Sequence, residues 1–149
     1  MHADRMTDAG HAHEFSFWVG EWDVFDPDGE QVGTNQVTAL FDGQVLCERW
    51  VGSSGVEGIS LNSWDADRGA WHQTWMDSTG STLLLDGGVR DGAMVLEGDS
   101  PAGSAAGVQR HRITWSPSAG GDQVRQFWEV SPDDGTTWET AFDGRYRRR

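Results

Sequence analysis

The chain has 149 residues, 36% of them apolar, with nine tryptophans, one tyrosine and a formal net charge of −13. That length reads as a single domain able to bury roughly two-thirds of its unfolded surface. The acidic balance argues against nucleic acid and anionic membrane surfaces as partners, since both need a basic footprint, and the single cysteine, Cys47, leaves no internal disulfide and no cysteine-built zinc site.

Residues 1–14, "MHADRMTDAGHAHE", are small and polar and read as a flexible leader, without the apolar stretch of a secretory signal. Residues 15–149 read as the domain. No apolar run reaches the length of a membrane span, so the expected location is the cytoplasm. "HAHEFSFW" (11–18) has room for a short helical turn. From Gly20 onward the helical period is absent. Short, mostly alternating segments predict strands near 20–26, 30–40, 44–51, 58–65, 70–77, 81–88, 93–98, 108–116, 122–130 and 136–146. The cuts between them, such as "DPDG", "ADRG", "RDG" and "SPDDG", supply the residues that tolerate the positive φ of tight hairpins. Only the stretch 99–107, "DSPAGSAAG", is long enough to be a mobile loop.

Consecutive strands joined by short hairpins form an antiparallel meander. An open sheet of that size would leave two edges, and closure removes them. The expected fold is therefore all-β, an antiparallel up-and-down barrel of about ten strands behind a short N-terminal helical turn. A Greek-key sandwich is the rival, and one long connection is too few for its crossovers.

Alternation then sorts the faces. In "AWHQTWMD", Trp71, Gln73 and Trp75 share the inner face, and Asp77 continues it to the barrel rim. In "QVRQFWEV", Val124, Gln126, Trp128 and Val130 share it, and in "TTWETAFDGRY", Trp138, Thr140, Phe142 and Tyr146. Gln73 and Gln126 thus ride among tryptophans, where an unpaired amide costs a few kcal/mol. They bond each other, trapped water or a ligand. In "VQRHRITWS", apolar Ile113 and Trp115 favour His111 inward. An inward Arg112 would instead need Glu48 or Glu129. In "QVLCERW", Leu46 and Trp50 pointing inward carry Glu48 with them.

Gly20-Glu21-Trp22 on the first strand resembles the G-x-W signature of lipocalin-like barrels. With "FWVGEWDVFDPDG", "WHQTWMD", "HRITW" and "TTWETAFDGRY", the chain is similar to a family of small bacterial lipocalin-like, calycin-type β-barrel proteins. The resemblance implies a barrel with an internal cavity, Trp22 closing one end, and no established reaction. A second resemblance is to the ten-stranded haem-binding nitrobindins, whose iron ligand is a histidine near the C-terminal strands. No histidine follows His111, so neither haem nor another cofactor is expected. No metal site is expected either, since His11 and His13 sit in the leader and most carboxylates sit in turns.

The expected function is binding of a small amphipathic or aromatic molecule in a Trp-lined cavity, with Trp50, Asn62, Trp71, Gln73, Trp75, Gln126, Trp128 and Trp138 as the ligand-binding set. The first alternative is an enzyme, a cyclase or isomerase, with His111 and Glu48 as its acid–base groups. The second is a non-catalytic module that forms a homodimer through Phe41 and Phe127.

Overall fold

The computed structural model describes residues 10–101 and 107–149. Ten antiparallel strands pair in sequence order: β1 (Gly20–Phe25), β2 (Gln31–Leu40), β3 (Val45–Gly52), β4 (Glu57–Asp65), β5 (Ala70–Asp77), β6 (Thr82–Arg90), β7 (Ala93–Pro101), β8 (Val108–Pro117), β9 (Gln123–Ser131) and β10 (Glu139–Arg148). β10 pairs back onto β1, so the sheet is a closed barrel without edges. The hairpins follow the turn chemistry of the sequence. At the β6–β7 turn, for example, Asp91 and Gly92 take φ of 51° and 81°, the left-handed pair that a two-residue hairpin requires.

Two boundaries differ from the sequence reading. β7 continues through Pro101 into the stretch expected to be a loop; the rest of that loop, 102–106, lies outside the described residues. Of the expected leader, residues 1–9 also lie outside them, but His11–His13 forms a 3-10 turn whose His11 ring stacks on Trp64 at 4.1 Å. Buried Ala12 and that stack dock this segment on the barrel, so the leader expected to be flexible through residue 14 is fixed at its end.

One end of the barrel is plugged by aromatic packing. A second 3-10 turn, Ser16–Trp18, lays Phe15 and Trp18 across the opening, stacked at 4.8 Å. Phe15 meets Trp71 and Trp115 edge-on, at 5.7 and 5.1 Å. Trp22 lies buried beneath and donates its indole N–H to the Trp18 carbonyl at 2.9 Å. Arg148 clasps this end: its guanidinium lies 4.2 Å over the Trp22 ring and donates to the Val19 and Phe17 carbonyls at 2.7 and 3.3 Å. Gly20 makes this close approach possible, because a Cβ there would collide with the Arg148 guanidinium, and its φ of 143° suits only glycine.

The tenth strand is irregular. Its register with β9 shifts between Thr140 and Phe142, leaving Ala141 as a bulge. Beyond a bulge the alternation reverses. Phe142, Gly144 and Tyr146 share the inner face, whereas Thr140 pairs with Glu129, whose carboxylate bonds Arg112. Among the described residues no helix is long and apolar enough to cross a membrane.

Candidate functional site

The opposite end, where β1, β3, β5, β7 and β9 finish, opens into a cavity of about 440 Å³. Its floor is polar and its upper wall aromatic. The cross-strand register explains the layering. Trp50 follows Glu48 by two residues on β3, Trp75 follows Gln73 on β5, and Trp128 follows Gln126 on β9, each one inward position nearer the mouth. Phe142 pairs with Trp128 and so joins the same level. Four rings, Trp50, Trp75, Trp128 and Phe142, thus form a collar above Glu48, Gln73, Gln126 and Tyr146.

So many rings would fill a barrel of ordinary side chains. Here they lie against glycines. A Cβ at Gly33 would sit 2.5 Å from the Trp50 ring, one at Gly144 2.5 Å from the Phe142 ring, and one at Gly58 inside the Trp75 ring. Each missing side chain lets a neighbouring ring flatten onto the wall, and the space left over is the cavity.

The floor is a continuous hydrogen-bonded belt. Gln73 Nε2 donates to Asn62 Oδ1 at 2.6 Å, and Asn62 Nδ2 donates to Ser60 Oγ at 2.8 Å. Ser60 Oγ donates to Glu48 Oε1 at 2.6 Å, and Asn35 Nδ2 donates to Glu48 Oε2 at 2.8 Å and to Tyr146 Oη at 3.2 Å. Tyr146 Oη donates in turn to Gln126 Oε1 at 2.5 Å. Burial pushes the Glu48 carboxyl up from 4.5 to about 7, against the lowering pull of the Ser60 and Asn35 hydrogen bonds. Burial, with the Glu48 charge beside it, also holds the Tyr146 phenol well above 10.

At the mouth, Asp77 Oδ2 accepts the Trp75 indole N–H at 3.1 Å. Burial alone would raise this carboxyl, but hydrogen bonds from Thr79, Trp75 and the Ser81 amide outweigh it and hold Asp77 below the usual carboxylate range. His111 points inward on β8. Its Nδ1 accepts the Trp128 indole N–H at 3.0 Å, and its Nε2 lies 2.6 Å from Ser100 Oγ. Burial lowers its pKa, with Asp99 acting weakly in the other direction.

Of the residues expected at the site, Glu48, Trp50, Gln73, Trp75, Gln126 and Trp128 line the cavity. Asn62 stands behind Gln73 and fixes its amide. Two of the expected lining residues stand elsewhere. Trp71 points inward but belongs to the plugged end, against Phe15, with its indole N–H 3.3 Å from Glu14. Trp138 lies outside the barrel, 4.0 Å beneath the Arg112 guanidinium, because the Ala141 bulge reverses the face. His111 and Glu48, the expected acid–base groups, are bonded into separate networks on opposite walls, β8 and β3. Arg112 faces outward, 3.2 Å from Glu129. Phe41 and Phe127 form no common patch: Phe41 stands at the β2–β3 turn, and Phe127 lies outside β9 under Arg125, with β10 and β1 between.

The sequence reading missed Asn35, Ser60 and the glycines. Alternation in "QVGTNQVTAL" and "EGISLNSWD" could have placed Gly33, Asn35, Gly58 and Ser60 inward. Among the described residues no three His, Cys, Asp or Glu side chains gather as a metal site.

Fold and site together define a closed ten-stranded antiparallel barrel with one plugged end and an internal, mixed-polarity cavity at the other. In comparison with known proteins, the chain matches no protein-family model and no curated protein sequence.

Proposed function

We propose that this barrel is lipocalin-like and binds a small amphipathic or aromatic organic molecule in its cavity. The observation that carries the reading is the cavity of about 440 Å³ between an aromatic collar and a hydrogen-bonded floor. Its size falls in the range of ligand pockets, about 300–1,000 Å³, and a few convergent polar groups on an apolar wall are what orients a ligand. The closed meander and Gly20-Glu21-Trp22 at the head of β1 support the lipocalin likeness.

The test is saturable quenching of tryptophan fluorescence by a panel of bicyclic aromatic alcohols, amines and acids. Gly58→Val pushes the Trp75 ring off the wall and into the cavity, so the variant should stay folded by circular dichroism and lose the saturable quenching. If no member saturates the wild-type protein, or if Gly58→Val binds as the wild type does, the reading is wrong.

A second reading is acid–base catalysis on the bound molecule. It rests on one observation, a Glu48 carboxyl near neutrality on the cavity wall, since an acid–base group works best when its pKa lies near the operating pH. Turnover lost in Glu48→Gln with binding retained would support this reading; binding without turnover of any panel member would remove it.

A further inference from the structure

The cavity is one-sided in charge. Among the described residues two carboxylates reach it, Glu48 on the floor and Asp77 at the mouth, and no arginine or histidine lines it. The chain has no lysine. Arginines on the outer wall are turned to other carboxylates, Arg112 to Glu129 and Arg125 to Asp143. A carboxylate or phosphate entering the barrel would meet the Asp77 charge, and that of Glu48 above about pH 7, with no counter-charge among the described lining residues.

The hydrogen-bond inventory points the same way. Most donors that could greet an anion are already engaged, leaving the Gln126 amide nitrogen and the Ser54 hydroxyl on the lining. The Trp75 and Trp128 indole N–H groups go to Asp77 and His111, and the Ser60 and Tyr146 hydroxyls go to Glu48 and Gln126. Asn35 directs its amide hydrogens at Glu48 and Tyr146. Gln73 is tied to Asn62 through its amide nitrogen, so its amide oxygen is the end left for a ligand. The charge on the floor is thus negative only, with the Gln73 amide oxygen beside Glu48 as a further acceptor, and the rings above it carry the quadrupole that attracts cations.

We propose that the cavity takes a protonated organic amine, with the ammonium on Glu48 and Gln73 and its aromatic or alkyl body inside the collar of Trp50, Trp75, Trp128 and Phe142. This rests on the cavity being a ligand site. The strongly acidic chain, at −13, adds a field that draws cations toward the mouth.

An arriving ammonium favours the ionised form of Glu48, so binding releases a proton below neutrality and strengthens as the pH rises through about 7. Of the groups around Glu48, Tyr146 on β10 stays neutral, Asp77 on β5 stays ionised, and Asn35 and Ser60 on β2 and β4 do not titrate; His111 on β8, depressed below 6.5, changes charge toward the acid end of the range and does so in the wild type and in Glu48→Gln alike.

The experiment compares naphthylethylammonium, naphthylethanol and naphthylacetate by calorimetry and tryptophan quenching. At about pH 8 the ammonium should bind about tenfold tighter than the alcohol, and the acetate should bind weakest. In Glu48→Gln the ammonium should lose that advantage and bind no tighter than the alcohol binds to the same variant. Between about pH 6.5 and 8, ammonium affinity should rise several-fold in the wild type and stay level in the variant. An alcohol or acetate that matches the ammonium would overturn the amine assignment and leave the cavity a ligand site. Undiminished ammonium binding in Glu48→Gln would mark adsorption to the acidic surface and also overturn it. Failure of all three probes would overturn both this inference and the reading beneath it.

Discussion

Glu48→Gln should make the barrel more stable at high pH than the wild type, relative to the difference between them in mild acid. The wild-type carboxyl is 4% exposed and is raised from 4.5 to about 7. The unfolded chain ionises it near 4.5, so between those values the folded state holds more protons than the unfolded state. Stability therefore falls as the pH rises through that window, and the loss is complete above about 7. At 1.36 kcal/mol per pH unit, the whole gap corresponds to about 3 kcal/mol, of which roughly 2–3 kcal/mol falls between pH 5 and 8. Glutamine has the same shape and no titration. It keeps the acceptor for Ser60, and its new N–H faces Asn35, whose Oδ1 has no partner in the native belt and can turn to accept it. That exchange leaves an offset within about 1 kcal/mol that does not vary with pH. Urea unfolding of both proteins at several pH values gives the difference directly. The surface carboxylates with lowered pKa cancel in it. A difference that is constant from pH 5 to 8 would show that Glu48 is ionised normally and that the belt is wetter than its burial says.

Arg148→Ala removes the stack on Trp22 and the bonds to the Val19 and Phe17 carbonyls, and should cost about 2 kcal/mol in denaturant unfolding while leaving the cavity intact. Burial of His111 lowers its pKa, so it contributes stability above the unfolded value of 6.5, lost as the pH falls through the folded value; the midpoint of its ring protons in an NMR titration should lie below 6.5, and a midpoint at or above that value refutes its burial. Trp138→Ala should leave ligand affinity unchanged, because that ring lies under Arg112 outside the barrel; weaker binding in fluorescence titrations would mean that the Ala141 bulge does not redirect it.

Most of the barrel was legible in the sequence because turn chemistry is local. Asp-Gly and related steps marked the strand ends, and alternation put Gln73, Trp75, Gln126 and Trp128 on the inner wall. What alternation could not give was height along the barrel axis. Trp71 and Trp75 share a face, yet one plugs the closed end and the other stands in the collar. The Trp138 error has a different origin. A single unpaired residue, Ala141, reverses the phase of everything before it, and alanine carries no signal for a bulge. The belt was out of reach for a third reason. Asn35, Glu48, Ser60 and Tyr146 meet only through strand register, and the longest link, Asn35 to Tyr146, spans 111 residues. Alternation likewise points both His111 and Glu48 inward without saying that they stand on opposite walls, β8 and β3.

The two halves of the barrel answer different physical demands. The plugged end is filled by Phe15, Trp18, Trp22, Trp71 and Trp115, an ordinary aromatic core that needs no polar group beyond a few indole partners. The open half carries the buried Glu48, the amides of Asn35, Asn62 and Gln73, and the ring-bearing glycines. Each of these lowers stability relative to a well-packed apolar side chain, through desolvation at Glu48 and through lost contact area at the glycines. The same chain shows at its other end that it can close a barrel without them. Natural proteins accept destabilising features where function needs them, because selection acts on activity above a stability threshold. The concentration of polar belt, flattened rings and empty volume in one half is therefore an argument for ligand binding that is independent of the size of the cavity.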